Sequence, residues 1–436
     1  MQHVVAATLA SAGLARGDRL CCSLSGGIDS VVLLDVLHTL QPQFGYELLA
    51  AHVHHGLSPH ADAWLSFCAD LCHRRRLPFL PLKVEVARDD PEGLEAAARR
   101  ARHQALSGVS CAWLAFGHHQ DDQAETLLFR LFRGTGSSGA GAMRAVEPGV
   151  DGRSGRLRPL LSLRRVRIEE WARARGLDWV EDESNLDCRF SRNAIRHRIL
   201  PAISERFPAA VPALARASDH FRETAELLDE LAAIDEAACG GVVLQRERVL
   251  ALGDARLANL LRAQARRLGA RAPARARLLE VLRQLREAAP LRPLRLLLGD
   301  VACCVYRGQL WLEREGAAPQ ALSWRGETRL AWGDGEVVFQ AVQGRGLARA
   351  ALERAANCCL QPRLAGLHMQ TGARRPRRSF KNLCQEAGIP PWLREGLPVL
   401  VADGQVLWVG GIGCAADHAC PPGEAGIEPV WHPRSR

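Results

Sequence analysis

The sequence predicts an α/β protein with a parallel-sheet N-terminal domain, a small helical/mixed middle domain and a strand-rich C-terminal domain. Three observations carry that reading. Up to about residue 135, short apolar runs alternate with helix-patterned segments, as in a parallel sheet flanked by helices. From Ala209 the composition shifts to Leu/Arg/Ala-rich helices. From about Ala321 it shifts again, to short strand-like runs with a turn at Gly333-Asp334-Gly335. A chain of 436 residues exceeds a single core, and boundaries are expected near 1–212, 213–318 and 319–436.

Taken in order, residues 20–24 read as a buried strand, followed by a turn and a helix over about 30–40. Strands at 48–54, 79–86 and 113–117 alternate with helices at 61–75, 92–106 and 121–132. A glycine- and serine-rich loop at 134–141 opens an irregular stretch reaching Gly155, and its composition suits a lid or a plain connector equally. Helices resume at 164–175 and at 191–200, the latter ending at Pro201. A long helix covers 209–238, and short strands follow at 294–298, 302–306 and 309–312. The C-terminal part contains a basic stretch at 374–381 and a strand at 406–412.

Charge and cysteine usage narrow the class. The formal net charge is +9, with 57 Lys+Arg against 48 Asp+Glu, which favours a polyanionic partner. Of the 14 cysteines, Cys21-Cys22, Cys303-Cys304 and Cys358-Cys359 are adjacent, a spacing that suits disulfides poorly. No C-x-x-C occurs, which argues against structural zinc or an iron–sulfur cluster and for a reducing cytosol. No run approaches the ~18 apolar residues of a membrane span, and the N-terminus lacks a signal-peptide n-region. A cytoplasmic enzyme without a membrane partner is expected.

The residues that carry chemistry begin with Ser25-Gly26-Gly27-Ile28-Asp29-Ser30, between the first strand and its helix. Two glycines let backbone amides approach an anion, and a helix N-terminus adds favourable dipole. Ser25 and Ser30 can donate hydroxyl hydrogen bonds to phosphate. Asp29, an acid among phosphates, makes sense if Mg²⁺ bridges them. A Walker A loop is excluded, because neither lysine, Lys83 or Lys381, follows a glycine. A Rossmann G-x-G-x-x-G is absent at this turn. The plain alternative is a tight turn capped by Asp29 or Ser30.

Three further motifs follow: His52-Val53-His54-His55-Gly56-Leu57; Gly117-His118-His119-Gln120-Asp121-Asp122-Gln123-Ala124-Glu125-Thr126; and Asp182-Glu183-Ser184-Asn185 with Arg192-Asn193-Ala194-Ile195-Arg196-His197. The first two lie at carboxyl ends of strands, where open α/β sheets place ligands. Asp122 and Glu125, three apart, share a helix face and suit a metal or the ammonium of an amine substrate. Asp121 reads as a helix cap, and at least one of His52, His54 and His55 as a core histidine.

The S-G-G-x-D-S loop resembles the PP-loop of ATP pyrophosphatases, with an adenine nucleotide alpha hydrolase-like domain. The full order of motifs, together with Arg378-Ser379-Phe380-Lys381-Asn382-Leu383 and Ile389-Pro390-Pro391-Trp392, resembles the tRNA(Ile)-lysidine synthetase family. That resemblance implies ATP and Mg²⁺ as cofactors, L-lysine and a CAU-anticodon tRNA(Ile) as partners, and leaves a homodimer open. It implies adenylation of the C2 oxygen of the wobble cytidine and attack by the lysine ε-amine. It gives Ser25, Gly26, Gly27, Ile28, Asp29 and Ser30 to ATP, with Asp29 on Mg²⁺. It gives His118, Asp122 and Glu125 to lysine and cytidine, and Arg192 and Arg196 to phosphate or tRNA. Arg374, Arg375, Arg377, Arg378 and Lys381, with Trp392, would grip the acceptor stem. Two departures stand out: Ser58-Pro59 follows H-G-L where the family often has arginine, and Ala140 follows the glycine loop where leucine is usual. A PP-loop thiolase is the rival enzyme, with Cys111 and Cys188 as its candidate cysteines. A non-catalytic RNA-binding protein with a decayed nucleotide site is the rival binder.

Overall fold

The computed structural model describes every residue except 88, 92, 151, 184–186, 188–190, 364, 365 and 434–436, and the side chains of 95 and 351. The chain folds as two compact units, Met1–Leu227 and Leu228–Arg436.

The first unit runs α1 (Gln2–Ser11), β1 (Arg19–Ser23), α2 (Ile28–Phe44), β2 (Glu47–His54), α3 (Ala61–Arg74), β3 (Phe79–Lys83), α4 (Leu94–Ser107), β4 (Trp113–Ala115) and α5 (Gln120–Phe132). It continues with α6 (Ser137–Ala140), β5 (Val146–Glu147), β6 (Gly155–Leu157) and α7 (Arg165–Ala174). The sheet order is β3-β2-β1-β4-β6-β5, parallel throughout except for β5 on β6. Strand β1 is apolar without alternation because both its faces are covered. Leu20 and Cys22 enter the core under α1, α2, α3 and α7, while Cys21 enters the one under α4. The adjacent cysteines therefore point to opposite faces, and all thirteen described cysteines are free thiols.

Buried Asp35 ties three helices: α2 carries it, Trp171 Nε1 (3.1 Å) and Arg175 Nε (3.2 Å) reach it from the α7 region, and Arg75 Nη2 (3.5 Å) from the end of α3. The order reverses between β1 and β4, so the loops leaving those two strands face one crevice.

The helix expected to end at Pro201 does not end there. It runs as α8 (Ser191–Ala194), a π-helical turn (Ile195–Ile199) and α9 (Leu200–Arg206). A wider turn just before the proline absorbs the ladder bond its missing N–H cannot make. The expected 212/213 boundary falls inside one helix, α10 (Ala210–Cys239).

In the second unit β7 (Leu244–Gln245), α11 (Arg246–Ala251), α12 (Asp254–Arg267) and α13 (Arg275–Glu287) precede β8 (Leu294–Leu297), β9 (Val301–Tyr306) and β10 (Gln309–Arg314). These strands form an antiparallel sheet, β7-β10-β9-β8, over one apolar core. Beyond it lie a five-stranded and a four-stranded sheet; the latter uses a strand at Ala425–His432 that no sequence pattern had indicated. Trp392 does not stand out beside the basic stretch. It packs on Trp311 (6.1 Å between ring centroids) and Tyr306 (6.4 Å), joining the C-terminal part to the β9–β10 hairpin. Among the described residues no helix is long and apolar enough to cross a membrane.

Candidate active site

The phosphate loop follows β1. Gly26 adopts φ +91°, and a Cβ there would sit 2.8 Å from Val180 Cγ2, so only glycine fits. The chain crosses over the loop at that point, where Val180 N donates to Gly26 O (3.0 Å). Gly27 is the N-cap of α2 and has no side chain to spend on the helix amides. The amides of Gly26, Ile28 and Asp29 have no backbone or side-chain acceptor among the described residues, which makes the loop an anion cradle. The serine hydroxyls brace it: Ser30 Oγ donates to Gly27 O (2.9 Å) and accepts from Ser25 N (3.2 Å), with Ser25 Oγ at 3.1 Å. Their expected donation to phosphate would require these bonds to open.

Gly117, at the exit of β4, fits directly against this loop. A Cβ there would meet the Asp29 carbonyl carbon and oxygen at 2.9 Å. This close approach brings the start of α5 onto Asp29. The N-cap of α5 is His119, whose Nδ1 accepts from Asp122 N (3.4 Å) while Asp122 Oδ2 accepts from His119 N (3.0 Å), a capping box. With Nδ1 accepting, the proton sits on Nε2, which faces Asp29 Oδ1 (3.7 Å) and Asp122 Oδ2 (3.4 Å). Asp121, expected to cap α5, instead receives Arg165 N (2.9 Å) at the start of α7 and pairs with Arg164 (3.1 Å).

Arg192 and Arg196, given to phosphate or tRNA by the resemblance, lie on the carboxylates. Arg196 donates to Glu125 Oε1 (2.6 Å), Glu125 Oε2 (2.9 Å) and Asp122 Oδ1 (2.7 Å); Arg192 donates to Glu125 Oε2 (3.2 Å) and Asp122 Oδ1 (3.4 Å). Glu125 is only 1% exposed. Burial alone would raise the Asp122 pKa, but His119, Arg192 and Arg196 outweigh it and hold the carboxyl down at about 2. Asp29 goes the other way: burial raises it above the usual carboxylate range against the pull of His119 and Arg165. Its Oδ1 is buried without a hydrogen-bond partner. Three carboxylates thus face Arg192 and Arg196, with His119 and Arg165 also acting on Asp29.

A lone buried carboxylate oxygen beside unpaired amides fits Mg²⁺ held jointly with phosphate oxygens, the usual habit of that ion. No cluster of three or more metal-ligating side chains exists among the described residues. His118 is kept neutral, its pKa lowered to about 3 by burial and by Arg158 and Arg192, against the opposing pull of Asp122, and its Nδ1 has no partner.

The other histidines divide. His52 is a core residue, Nδ1 on Leu24 O (2.9 Å) just before the phosphate loop, while His54 Nε2 reaches Asp62 (3.1 Å). Ser58, where the family often has arginine, donates to Glu183 Oε1 (2.9 Å) and so links two of the motifs. Ser184 and Asn185 of the same motif, and Cys188, lie outside the described residues. The glycine loop is gripped, not free-standing: the Gln123 amide holds Met143 through both O (2.8 Å) and N (3.0 Å), and Arg130 holds Gly139 O (2.6 Å) and Ala142 O (3.1 Å). Sequence reasoning missed His119 and Gln123. The signal for the first was present, since H-x-x-D matches a capping box once histidine is admitted as the cap.

Cys111 lies before β4, at the amino end of the sheet, with Ala112 N bonded to Arg19 O. The seven residues from there to His118 span roughly 20 Å at strand rise, so Cys111 is remote from the phosphate loop. In the C-terminal unit Arg374, Arg375, Arg377, Arg378 and Lys381 are all exposed; Arg378 pairs with Glu386, and Ser379 caps the helix Phe380–Glu386.

Sheet order, loop and helix start define a PP-loop nucleotide-binding protein, and a family model described as a PP-loop domain matches residues 1–203. Models described as the TilS substrate binding domain and the TilS substrate C-terminal domain match 244–311 and 358–431. A tRNA(Ile)-lysidine synthase of Azoarcus sp. (strain BH72) is 57% identical over 431 residues, 99% of this chain and 95% of that protein. The protein of the same name from Aromatoleum aromaticum is 57% identical over 425 residues, 97% of this chain and 99% of that protein. The chain belongs to the tRNA(Ile)-lysidine synthase family. Among solved structures, the U34-tRNA thiolase NcsA of Methanococcus maripaludis superposes with a TM-score of 0.44 at 19% identity, over 51% of this chain and 77% of that one.

Proposed function

We propose that the chain ligates L-lysine to C2 of the wobble cytidine of a CAU-anticodon tRNA(Ile), with ATP as the activating substrate. The carrying observation is the meeting of an anion cradle with a carboxylate–guanidinium cluster at one β1/β4 crevice, in a chain that matches lysidine synthases over nearly its whole length. The ATP phosphates lie on the Gly26, Ile28 and Asp29 amides, and Asp29 Oδ1 would hold Mg²⁺, which neutralises pyrophosphate charge when bound. The cytidine C2 oxygen attacks the α-phosphorus, the bond to the β-phosphate breaks, and pyrophosphate leaves. The lysine ε-amine then adds to C2, the C2–O bond breaks with AMP as leaving group, and the amine sheds a proton.

Asp122 and Glu125 hold the lysine ammonium end, exchanging it for part of their arginine pairing. Arg192 and Arg196 are then freed toward phosphate. His118, neutral and with an unpaired Nδ1, offers a hydrogen bond to the amine or the base, and the amine's proton passes to solvent. An anticodon loop is single-stranded, so the base can enter without opening a duplex. The exposed basic stretch at 374–381 holds the tRNA body.

The test is incorporation of labelled lysine into a CAU-anticodon tRNA(Ile) transcript, with AMP and pyrophosphate formed in equal amounts. Absence of lysine incorporation, or sulfur transfer in its place, would overturn the reading.

A further inference from the structure

The amino-terminal edge of the parallel sheet, opposite the crevice, holds reactive groups that the proposed ligation does not use. Cys21 on β1 points into the core under α4. Cys111, two residues before β4, packs against that same core and remains half-buried. The two thiols are hydrogen-bonded to each other. Ser154, the residue before β6, joins them: its Oγ lies 3.4 Å from Cys111 Sγ and donates to Cys111 O (2.6 Å). Arg19, at the start of β1, adds positive charge, and Ala112 N on Arg19 O (2.9 Å) fixes the entry to β4 beside it. The beginnings of three strands thus gather two thiols, a hydroxyl and a guanidinium at one place.

The two sulfurs differ in what surrounds them. The hydrogen bond from Cys21, together with Ser154, Arg19 and the Cys21 backbone, holds the Cys111 thiol down at about 7 against the opposing effect of burial. The same contact, reinforced by desolvation, pushes the Cys21 thiol far up. Cys111 therefore gives up its proton near neutrality while Cys21 keeps its own. The other cysteines contrast with this pair. Cys22, Cys68, Cys72, Cys303 and Cys304 are buried, and desolvation raises each thiol. Cys358 and Cys414 are half-buried like Cys111, yet burial pushes both up to about 11. Those are the surroundings of packing cysteines. An accessible thiolate touching a second sulfur is the setting in which oxidation is captured as a disulfide.

We propose that Cys111 and Cys21 form a peroxide-reactive dithiol, with Cys111 as the attacking sulfur and Cys21 as the resolving one. The Cys111 thiolate attacks one oxygen of a hydroperoxide, the O–O bond breaks, and the leaving oxyanion takes a proton from solvent. The sulfur is oxidised by two electrons to a sulfenic acid, and the peroxide is reduced. Cys21 sulfur then attacks Cys111 sulfur, the S–O bond breaks, and hydroxide departs as water with the Cys21 proton. The disulfide ties β1 to the entry of β4, and a thiol reductant reopens it.

The test uses full-length reduced protein, hydrogen peroxide as oxidant and dimedone as trap for sulfenic acid. Equimolar peroxide at neutral pH should remove two hydrogens per chain and give a Cys21–Cys111 cross-linked peptide that dithiothreitol reverses. Iodoacetamide should alkylate Cys111 at least roughly 10-fold faster than Cys358 or Cys414, with a midpoint near pH 7. Cys111→Ser should abolish the cross-link and leave the remaining cysteines reduced. Cys21→Ala should leave Cys111 reactive but unable to close, so the dimedone adduct accumulates there. All of these readouts follow sulfur and stand apart from the ligation reading. Oxidation spread over other cysteines, equal alkylation rates, or a Cys111 sulfenic acid that persists in the wild-type protein without a cross-link each sinks the proposal.

Discussion

The arginines set against the start of α5, Arg192 and Arg196, and those at 374–381 are the same residue type in opposite physical situations. Arg196 and Arg192 answer two buried carboxylates at 2.6–3.4 Å, and the geometry of each bond is dictated by packing on α5. Arg374, Arg375, Arg377 and Lys381 stand in solvent, with no acid among the described residues within ion-pair reach. Breaking a buried pair strands a desolvated charge, which costs about 3–5 kcal/mol, whereas an exposed pair contributes about 0–1 kcal/mol. The first set is therefore specified individually and the second only as a sum. A catalytic centre needs the former, and a grip on a phosphate backbone is well served by the latter.

The sharpest test of the buried side is Asp29→Asn. Turnover should fall about 10²-fold or more, the scale of removing one preorganised electrostatic group. Burial raises the Asp29 pKa, so its ionised form opposes folding at neutral pH, and the variant's Tm should not be lowered. Normal turnover in a folded variant removes Asp29 from the site.

Next comes Arg196→Ala, which should lose about 3–5 kcal/mol of stability by urea unfolding. Adding Glu125→Gln should recover part of that loss. Because Asp122 is held at about 2, below its ordinary 3.8, its contribution to stability is present above pH 4 and disappears as pH falls toward 2. An additive double mutant, or stability flat across that window, would contradict a coupled cluster.

On the exposed side, replacing Arg374, Arg375, Arg378 and Lys381 with alanine should weaken tRNA binding roughly 10-fold or more, with ATP affinity unchanged. The log–log salt slope should drop by roughly 0.7–0.9 for each phosphate that is no longer neutralised. Equal slopes in the two proteins would return the stretch to an ordinary solvated face. The smallest effect is expected at Cys111→Ser, remote from the crevice, where activity should stay within about threefold. Complete loss with a normal fold would revive sulfur chemistry.

Much of this was legible in the chain because it is local. The buried β1 run, the two glycines after it and the apolar periodicity of α2 and α5 each follow from backbone and solvation rules acting over a few residues. That is why the eight elements from β1 to α5 sit within three residues of their expected positions, apart from the carboxyl-terminal end of α2. Strand Ala425–His432 was not legible, since its burial mixes apolar and half-exposed positions and its pairing partner, Gly335–Gln343, lies about ninety residues earlier.

The same division runs through the site. Sequence determined which groups could do the chemistry: an anion-binding turn, an acid within it, two carboxylates one helical turn apart, and arginines downstream. Only the tertiary structure decided their pairings. It sent Arg192 and Arg196 to Glu125 and Asp122 and drew Asp121 to Arg164 and the Arg165 amide. It also carried Cys111 to the far end of the sheet and packed Trp392 against Trp311. The reason is physical. A spacing of three or four fixes neighbours along a helix, but partners 60 to 80 residues apart meet only where strand order and packing bring them, and a buried charge takes whichever counter-charge arrives there.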